Sequence, residues 1–241
     1  FLRMGSVRAV RCSQSRTGET PTRLGAMAAT LPLADAATRD DLRIFLERLL
    51  RVGQEDVRLV SRDATFAVYG CTQAPRGITD PVPVVLVMRA FELSEALPEH
   101  VDTTVQARAL LDRIARLGII GRSLELPDVT ALAAWSGVLP PLSGWEPAGS
   151  IDSGSIAQVA AEGISRVADA LPENPGEAVV LQVRAVVWGT EIAPGLPAAA
   201  AFAAETLGFL RDDEPVRMSR SLTWTRLSTT RGHVVVRSLL G

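Results

Sequence analysis

Apolar and charged positions separate onto opposite helix faces in three stretches of this chain. Between Thr38 and Gly53, apolar residues recur at helical spacing, and arginines and acids occupy the opposite face. Thr38 is a favourable N-cap and Gly53 a helix stop, so the pattern predicts a helix. Similar patterns predict a helix over about 103–117, capped by Asp102, and another over about 155–171.

Runs of β-branched and other apolar residues predict the strands. Residues 57–61 and 65–71 flank a short polar turn and are typical of a hairpin. Residues 84–91, which are apolar except for Arg89, and residues 179–188 have the continuous apolar character of buried strands. The other predicted elements are a short helix from Pro127 to Trp135, an alanine-rich helix from Pro197 to Leu210, and two final strands over 216–227 and 232–239.

This mixture of elements predicts an α+β or α/β fold with two halves. Prolines and glycines concentrate over 140–150 and make a stiff connector there. We therefore expect an N-terminal half over 31–139 and a C-terminal half over 151–241, or one continuous domain.

The two halves contain short internal similarities. Val84–Ala90 matches Val179–Ala185 at five of seven positions, and a predicted helix follows each copy. A further match, between residues 57–62 and 216–220, occurs in a different order along the chain. Chance similarity in a sequence rich in Val, Ala and Arg is therefore the alternative to a duplication.

Arg89 and Arg184 are equivalent strand residues if the duplication is real. A buried arginine is costly unless it is paired. Each of the two then needs a carboxylate or carbonyl partner, or faces an opening that admits an anion. The alternative is an ordinary salt-bridged or edge-strand arginine.

All 25 of the lysine and arginine positions are arginine. The lack of lysine excludes Schiff-base enzymes, Walker-type phosphate loops and Ser-Lys hydrolases. Arginine stays protonated and presents a planar set of donors, so it suits anion binding and ring stacking rather than general-base catalysis. A GC-rich genome would produce the same bias without any functional cause.

Residues 1–30 differ in charge from the rest of the chain. They hold five arginines against Glu19, a net charge of +4, whereas the remainder holds 20 arginines against 26 acids, a net charge of −6. We expect a disordered basic tail that lies outside the fold, and Met27 would make a plausible start of its own. A transit peptide and an arm that contacts a polyanion are the alternatives.

Few residues are available for catalysis or metal binding. The chain has two histidines, His100 in a polar loop and His233 at a strand start, and two cysteines. Cys71 lies in a β-rich run, where a buried inert thiol is the usual finding. We therefore expect no catalytic residue, no metal site and no cofactor. Unpaired cysteines and the absence of a long apolar segment predict a cytoplasmic protein with no membrane association.

The C-terminal hairpin has the chemistry of a binding surface. It brings an aromatic residue close to several cations, as at many protein interfaces and some nucleic-acid interfaces. The alternative is that the aromatic residue belongs to the core and the arginines protect an edge strand. The candidate binding residues are Trp224, Arg226, Arg231, His233 and Arg237, together with Arg89 and Arg184.

Residues 189–210, Trp224–Ser228 and Arg231–Arg237 resemble conserved hypothetical proteins of high-GC actinobacteria. The resemblance covers about a fifth of the chain. It implies a bacterial cytoplasmic origin and brings no activity, catalytic residue or cofactor with it.

These observations favour a non-catalytic protein-interaction or regulatory module that binds a protein partner or itself. The first alternative is a cofactor-free enzyme or small-molecule binder with a pocket between the two halves. The second is a protein associated with nucleic acid. A pocket lined by Arg89 or Arg184 would favour the first alternative, a flat patch around Trp224 the interaction module, and a continuous arginine stripe the nucleic-acid protein.

Overall fold

The computed structural model describes residues 29–77, 80, 82–212 and 214–237. The predicted basic tail over 1–30 falls almost wholly outside the described residues, and so does Cys12. The fold is mixed α+β. The described helices are α1 (Ala36–Arg51), α2 (Ala107–Arg116), α3 (Ser153–Ala170), α4 (Glu177–Gly189) and α5 (Ala198–Thr206). The described strands are β1 (Thr30–Pro32), β2 (Asp56–Arg62), β3 (Thr65–Gln73), β4 (Val84–Glu92), β5 (Asp102–Gln106), β6 (Ser123–Glu125), β7 (Glu146–Ile151), β8 (Glu191–Ala193), β9 (Leu196–Pro197), β10 (Val216–Ser221), β11 (Trp224–Ser228) and β12 (His233–Arg237).

Eight strands form one antiparallel sheet in the order β5-β2-β3-β4-β12-β11-β10-β7. Each half of the chain contributes a three-strand meander, β2-β3-β4 or β10-β11-β12, and one edge strand. The halves join where β4 pairs with β12, with Val85 opposite Val236 and Val87 opposite Val234. The sheet is therefore continuous across both halves.

The strand order explains one of the internal similarities. β2 and β10 occupy equivalent positions, each two strands away from the β4–β12 junction. The match between residues 57–62 and 216–220 falls on these two strands. The match between 84–90 and 179–185 does not join structurally equivalent segments, because its first copy is β4 and its second lies in α4.

The main hydrophobic core lies on one face of the sheet. Helices α1, α2 and α5 pack on this face, and α3 packs across α5. The alanines of α5 are almost entirely buried, so small side chains allow the helix to lie between the sheet and α3. Trp188 of α4 stacks near Phe202 of α5, at 4.6 Å between ring centroids, and lies against Gly163 of α3.

Residues 179–188, predicted as a strand, form most of α4. The prediction was wrong because a continuous apolar run has no periodicity that separates a buried strand from a helix. The run is part of a 13-residue element that follows Pro175 and Gly176, and that length is typical of a helix.

Three predicted boundaries also differ. Asp35, rather than Thr38, caps α1, because its carboxylate accepts a hydrogen bond from the Thr38 amide at 2.7 Å. The β-branched start of the predicted helix 103–117 pairs with β2 as β5, and α2 begins only at Ala107. Residues 216–227 form two strands, since Leu222, with a φ of 52°, turns the chain between β10 and β11.

The opposite face of the sheet is crossed by residues 127–145, here called the strap. The Ala131 amide donates to the Thr104 carbonyl on β5 at 2.7 Å. The guanidinium of Arg58 on β2 donates to the Ser136 carbonyl, and the strap then continues into β7 at the other sheet edge. It therefore spans the sheet from edge to edge.

The strap contains no α-helix, although one was predicted from Pro127 to Trp135. Only a 3-10 turn forms, at Ala134–Gly137. The Pro/Gly connector predicted over 140–150 runs into β7. No helix in the described part of the chain has the length and apolar character needed to cross a bilayer.

Candidate functional site

Four of the predicted binding residues lie beneath the strap or beside it: Trp224, Arg226, His233 and Arg237. Trp224 is only 6% exposed and belongs to a small apolar cluster with Cys71, Leu86 and Val235, against which Trp135 of the strap packs. The predicted aromatic centre of a binding hairpin is thus a core residue of this face.

The neighbouring arginines stack on tryptophan rings. The Arg226 guanidinium carbon lies 4.2 Å from the ring centroid of Trp145 on the strap, and Arg226 Nε donates to Ser219 Oγ at 3.2 Å. Arg237 lies 5.9 Å from the ring centroid of Trp224. The Arg226 contact fixes the strap on the sheet, whereas the Arg237 contact joins the paired strands β11 and β12. Both arginines therefore have a structural role in the fold.

His233 and Arg231 differ in environment. Nδ1 of His233 lies 2.8 Å from Ser228 Oγ. Burial, with the positive charges of Arg226 and Arg217, lowers the pKa of His233 to about 4, so its imidazole is neutral at pH 7. Arg231 is exposed in the β11–β12 turn and donates to the Gly208 carbonyl at 3.4 Å.

Arg89 and Arg184 are not structurally equivalent. Arg89 points from β4 into the helix-covered face, where it pairs with Asp41 of α1 and lies 5.7 Å from the Phe91 ring centroid. Burial lowers the pKa of Arg89, and Asp41 is the carboxylate partner that a buried arginine requires. Arg184 lies on the exposed surface of α4 rather than in a strand, which corrects the proposed equivalence.

Two observations bear on catalysis. Burial raises the pKa of the Cys71 thiol to about 12, so this sulfur is protonated at neutral pH and is a poor nucleophile. Within the described residues, no group of three or more His, Cys, Asp and Glu side chains is placed to hold a metal ion.

The most exposed pair of adjacent apolar side chains is one that the sequence analysis did not identify. Ile119 and Ile120 are 86% and 91% exposed in the turn over residues 117–122, here called the isoleucine turn. Gly118 has a φ of 63°, and a Cβ on Gly121 would lie 2.2 Å from the Leu117 carbonyl oxygen. Both glycines are therefore required by the tight backbone.

A buried arginine supports this turn from below. Arg39 of α1 is only 7% exposed, and its Nη1 donates to the carbonyls of Gly118 and Ile119 at 2.8 and 2.6 Å. Its Nε and Nη2 donate to Asp40 at 3.1 and 3.0 Å. The guanidinium is thus used to order the backbone of the turn while the isoleucine side chains face solvent.

The rim of the isoleucine turn is basic. Arg116 precedes the turn and Arg122 closes it, and both are exposed. Neither forms a salt bridge with another described residue, although Arg122 donates to the Ala34 carbonyl at 3.1 Å. The turn therefore combines an apolar tip with two cations at its base.

The helix layer carries no continuous arginine stripe in the described residues. Helices α1 and α2 hold seven arginines against four acids, whereas α3, α4 and α5 together hold two arginines against four acids. Among the described helices the excess of arginine is confined to α1 and α2, and the other three helices together carry a net negative charge that opposes contact with a polyanion.

Two family models match this chain, one in each half. Residues 27–137 match a domain of unknown function, DUF8010, and residues 140–241 match another domain of unknown function, DUF8185. No curated protein matches the chain. These matches agree with the expected resemblance to uncharacterised proteins.

The fold is similar to that of DNA polymerase III subunit beta from Pseudomonas aeruginosa, with a TM-score of 0.50 and 16% identity over 89% of this chain and 65% of that chain. Pol III beta from Caulobacter crescentus has a TM-score of 0.48 and 11% identity, over 88% of this chain and 66% of that one. The beta clamp of Helicobacter pylori, solved with a DNA ligase peptide, has a TM-score of 0.47 and 10% identity over the same shares. This chain therefore spans slightly less than two thirds of the length of these proteins. It is an α+β protein with matches to two uncharacterised domain families and a fold similar to that of a polymerase beta subunit.

Proposed function

We propose that this protein is a non-catalytic interaction module that presents the isoleucine turn to a protein partner. The observation that carries the proposal is an exposed apolar tip on a buried charged support: Ile119 and Ile120 face solvent, and Arg39 orders the backbone beneath them. Scattered exposed apolar residues are ordinary. An adjacent pair held in a fixed turn is suited to binding, because little conformational entropy remains to be lost.

Burial of the two isoleucine side chains would contribute enough free energy to support a specific contact. Full burial of each isoleucine would contribute about 1.5–3 kcal/mol. Arg116 and Arg122 at the base of the turn complement a partner that has an apolar recess with carboxylates at its rim. A second copy of this chain is one candidate, because the residues after position 30 carry a net negative charge that complements the two arginines.

A protein partner is favoured over nucleic acid by the same chemistry. Phosphate groups form no favourable contact with apolar side chains. The helices of the C-terminal half hold more acids than arginines, so they oppose continuous contact with a polyanion. The similarity to the DNA polymerase III subunit of Pseudomonas aeruginosa is one of fold alone.

The test is a quantitative purification of the full chain from its native cells after nuclease treatment. The wild type is compared with Ile119→Ser/Ile120→Ser and with the control Leu132→Ser, which removes a fully exposed apolar side chain from the strap. We expect a stoichiometric partner, or a dimer mass in light scattering, that the control retains and the double variant reduces by roughly tenfold or more.

Two further variants sharpen the result. Arg39→Met keeps both isoleucines but removes the donors beneath the turn, so it should weaken binding less than the double variant does. Arg231→Ala removes the exposed cation of the C-terminal hairpin, so it tests whether this hairpin contributes to partner binding as the sequence predicts. A monomeric wild type without a stoichiometric partner, or equal recovery of the partner by the double variant, would overturn the proposal.

A further inference from the structure

A cavity of about 450 Å³ lies between the two halves, where α4 faces the C-terminal ends of α1 and β3. Apolar side chains, among them Val52, Trp135, Val180 and Leu181, share its walls about equally with polar and charged ones such as Gln73 and Arg184. The volume is within the range of small-molecule sites in proteins.

The charges at this cavity do not cancel. The Asp80 carboxylate accepts from the backbone amides of Arg76 and Val82 at 3.0 and 3.1 Å. Arg76 also pairs with Glu177 at 3.3 Å. Arg184 lines the cavity and forms no salt bridge with a described residue. Asp80 and Glu177 therefore already have partners, whereas the Arg184 guanidinium has no counter-ion among the described residues.

Helix α4 buries Val187 and Trp188 against the core, yet it also has one charged residue on the side that lines the cavity. An amphipathic helix turns its apolar face inward and its charged face toward water. The charged Arg184 of α4 instead lies on the cavity side, beside Val180 and Leu181. Val179 and Val186, on the other side, are 42% and 65% exposed. Arg184 is therefore placed where it can contact a ligand in the cavity.

We propose that the cavity binds a small amphipathic anion, with an aliphatic body against Val52, Val180, Leu181 and Trp135 and one carboxylate or phosphate head on Arg184. The planar donors of arginine accommodate either head group. The apolar part of the wall gives a ligand with a hydrocarbon body contacts that an inorganic anion lacks. This site is separate from the isoleucine turn, and it does not depend on the function proposed there.

The test is calorimetric titration of the full chain with decanoate, decyl phosphate and decanol. We expect at least one of the two anions to bind, and decanol to bind at least roughly tenfold more weakly because it lacks the charge. Arg184→Gln should weaken binding of the anion by roughly tenfold or more. The matched control Arg166→Gln, on the exposed surface of α3, should not change it.

A second variant tests the location. Ala185 lines the cavity, so Ala185→Trp should fill it and abolish binding, with circular dichroism confirming that the chain is folded. Binding of only one anion would identify the head group. The proposal is overturned if neither anion binds the wild type, if decanol binds equally well, if Arg166→Gln has the same effect as Arg184→Gln, or if a folded Ala185→Trp variant still binds.

Discussion

His233 makes stability depend on pH in a predictable direction. Its pKa is lowered to about 4, whereas an unfolded histidine has a pKa of about 6.5. Between these values the unfolded chain binds a proton that the folded chain does not. The free energy of unfolding is therefore highest above pH 6.5 and decreases as the pH falls toward 4.

Urea denaturation at pH 7 and pH 5 measures this effect. The wild type should lose on the order of 1–2 kcal/mol between the two values through His233, and His233→Gln should remove most of that loss. His100→Gln changes the exposed histidine and serves as the control. An unchanged pH dependence in the His233 variant would show that folding does not lower the pKa of this imidazole.

Arg39 illustrates which single residues can be interpreted from sequence and which cannot. The buried strand position of Arg89 predicts a carboxylate partner, and Asp41 supplies it. Arg39 instead belongs to the charged face of α1, where it is indistinguishable from the surface residue Arg43. Its partners, Gly118 and Ile119, lie 79 and 80 positions away, and no local pattern identifies them.

The contact between α3 and α4 depends on the absence of one side chain. A Cβ at Gly163 would lie 2.2 Å from Cζ3 of Trp188. We expect Gly163→Ala to lower the free energy of unfolding by about 1–3 kcal/mol, since steric conflict in a packed layer exceeds the gain in helix propensity. Thermal or urea denaturation measures the change.

Gly189→Ala is the matched control for that substitution. Gly189 ends α4, and a Cβ there would have no heavy atom within 4 Å. Its replacement should be neutral or raise stability by up to about 1 kcal/mol. Equal effects at the two glycines would mean that Trp188 does not pack against α3 as described.

Local pattern predicts elements well where one face of the element is exposed. Helices α1 and α3 were recognised because their apolar positions recur with a clear period, and the β2–β3 hairpin because two β-rich runs flank a short polar turn. Helix α4 was mistaken for a strand because its apolar residues leave no period. The strap has no period at all, and its path is set by contacts of Arg58, Trp135 and Trp145 with distant strands.

The continuous sheet should make the two halves unfold together. The β4–β12 junction joins Val85, Val87, Val234 and Val236 in one buried layer, and the core on that face draws on every helix. Trp145, Trp188 and Trp224 lie outside the N-terminal half and Trp135 lies within it. The fluorescence of a Trp135→Phe variant therefore reports on the C-terminal half. Hydrogen exchange in β2 and β3 reports on the other half.

Both signals should change at the same urea concentration, as in a two-state transition. Val235, on the face of β12 opposite to this layer, provides a control position: Val235→Thr should shift both transitions by the same amount. Earlier loss of protection in β2 and β3 than of tryptophan fluorescence would show that the halves are separate folding units.

The central position of β12 has a consequence for folding during synthesis of the chain. β12 lies fifth among the eight strands, yet it follows every other described strand along the chain. About 140 residues separate the end of β4 from the start of β12, which at about 5–20 residues per second takes roughly 7–28 s to translate. During that interval the valine-rich edge of β4 has no neighbour on the ribosome, and an unpaired apolar edge attracts other nascent chains. The need for chaperones should therefore be greatest after β4 has emerged and end when residues 233–237 emerge.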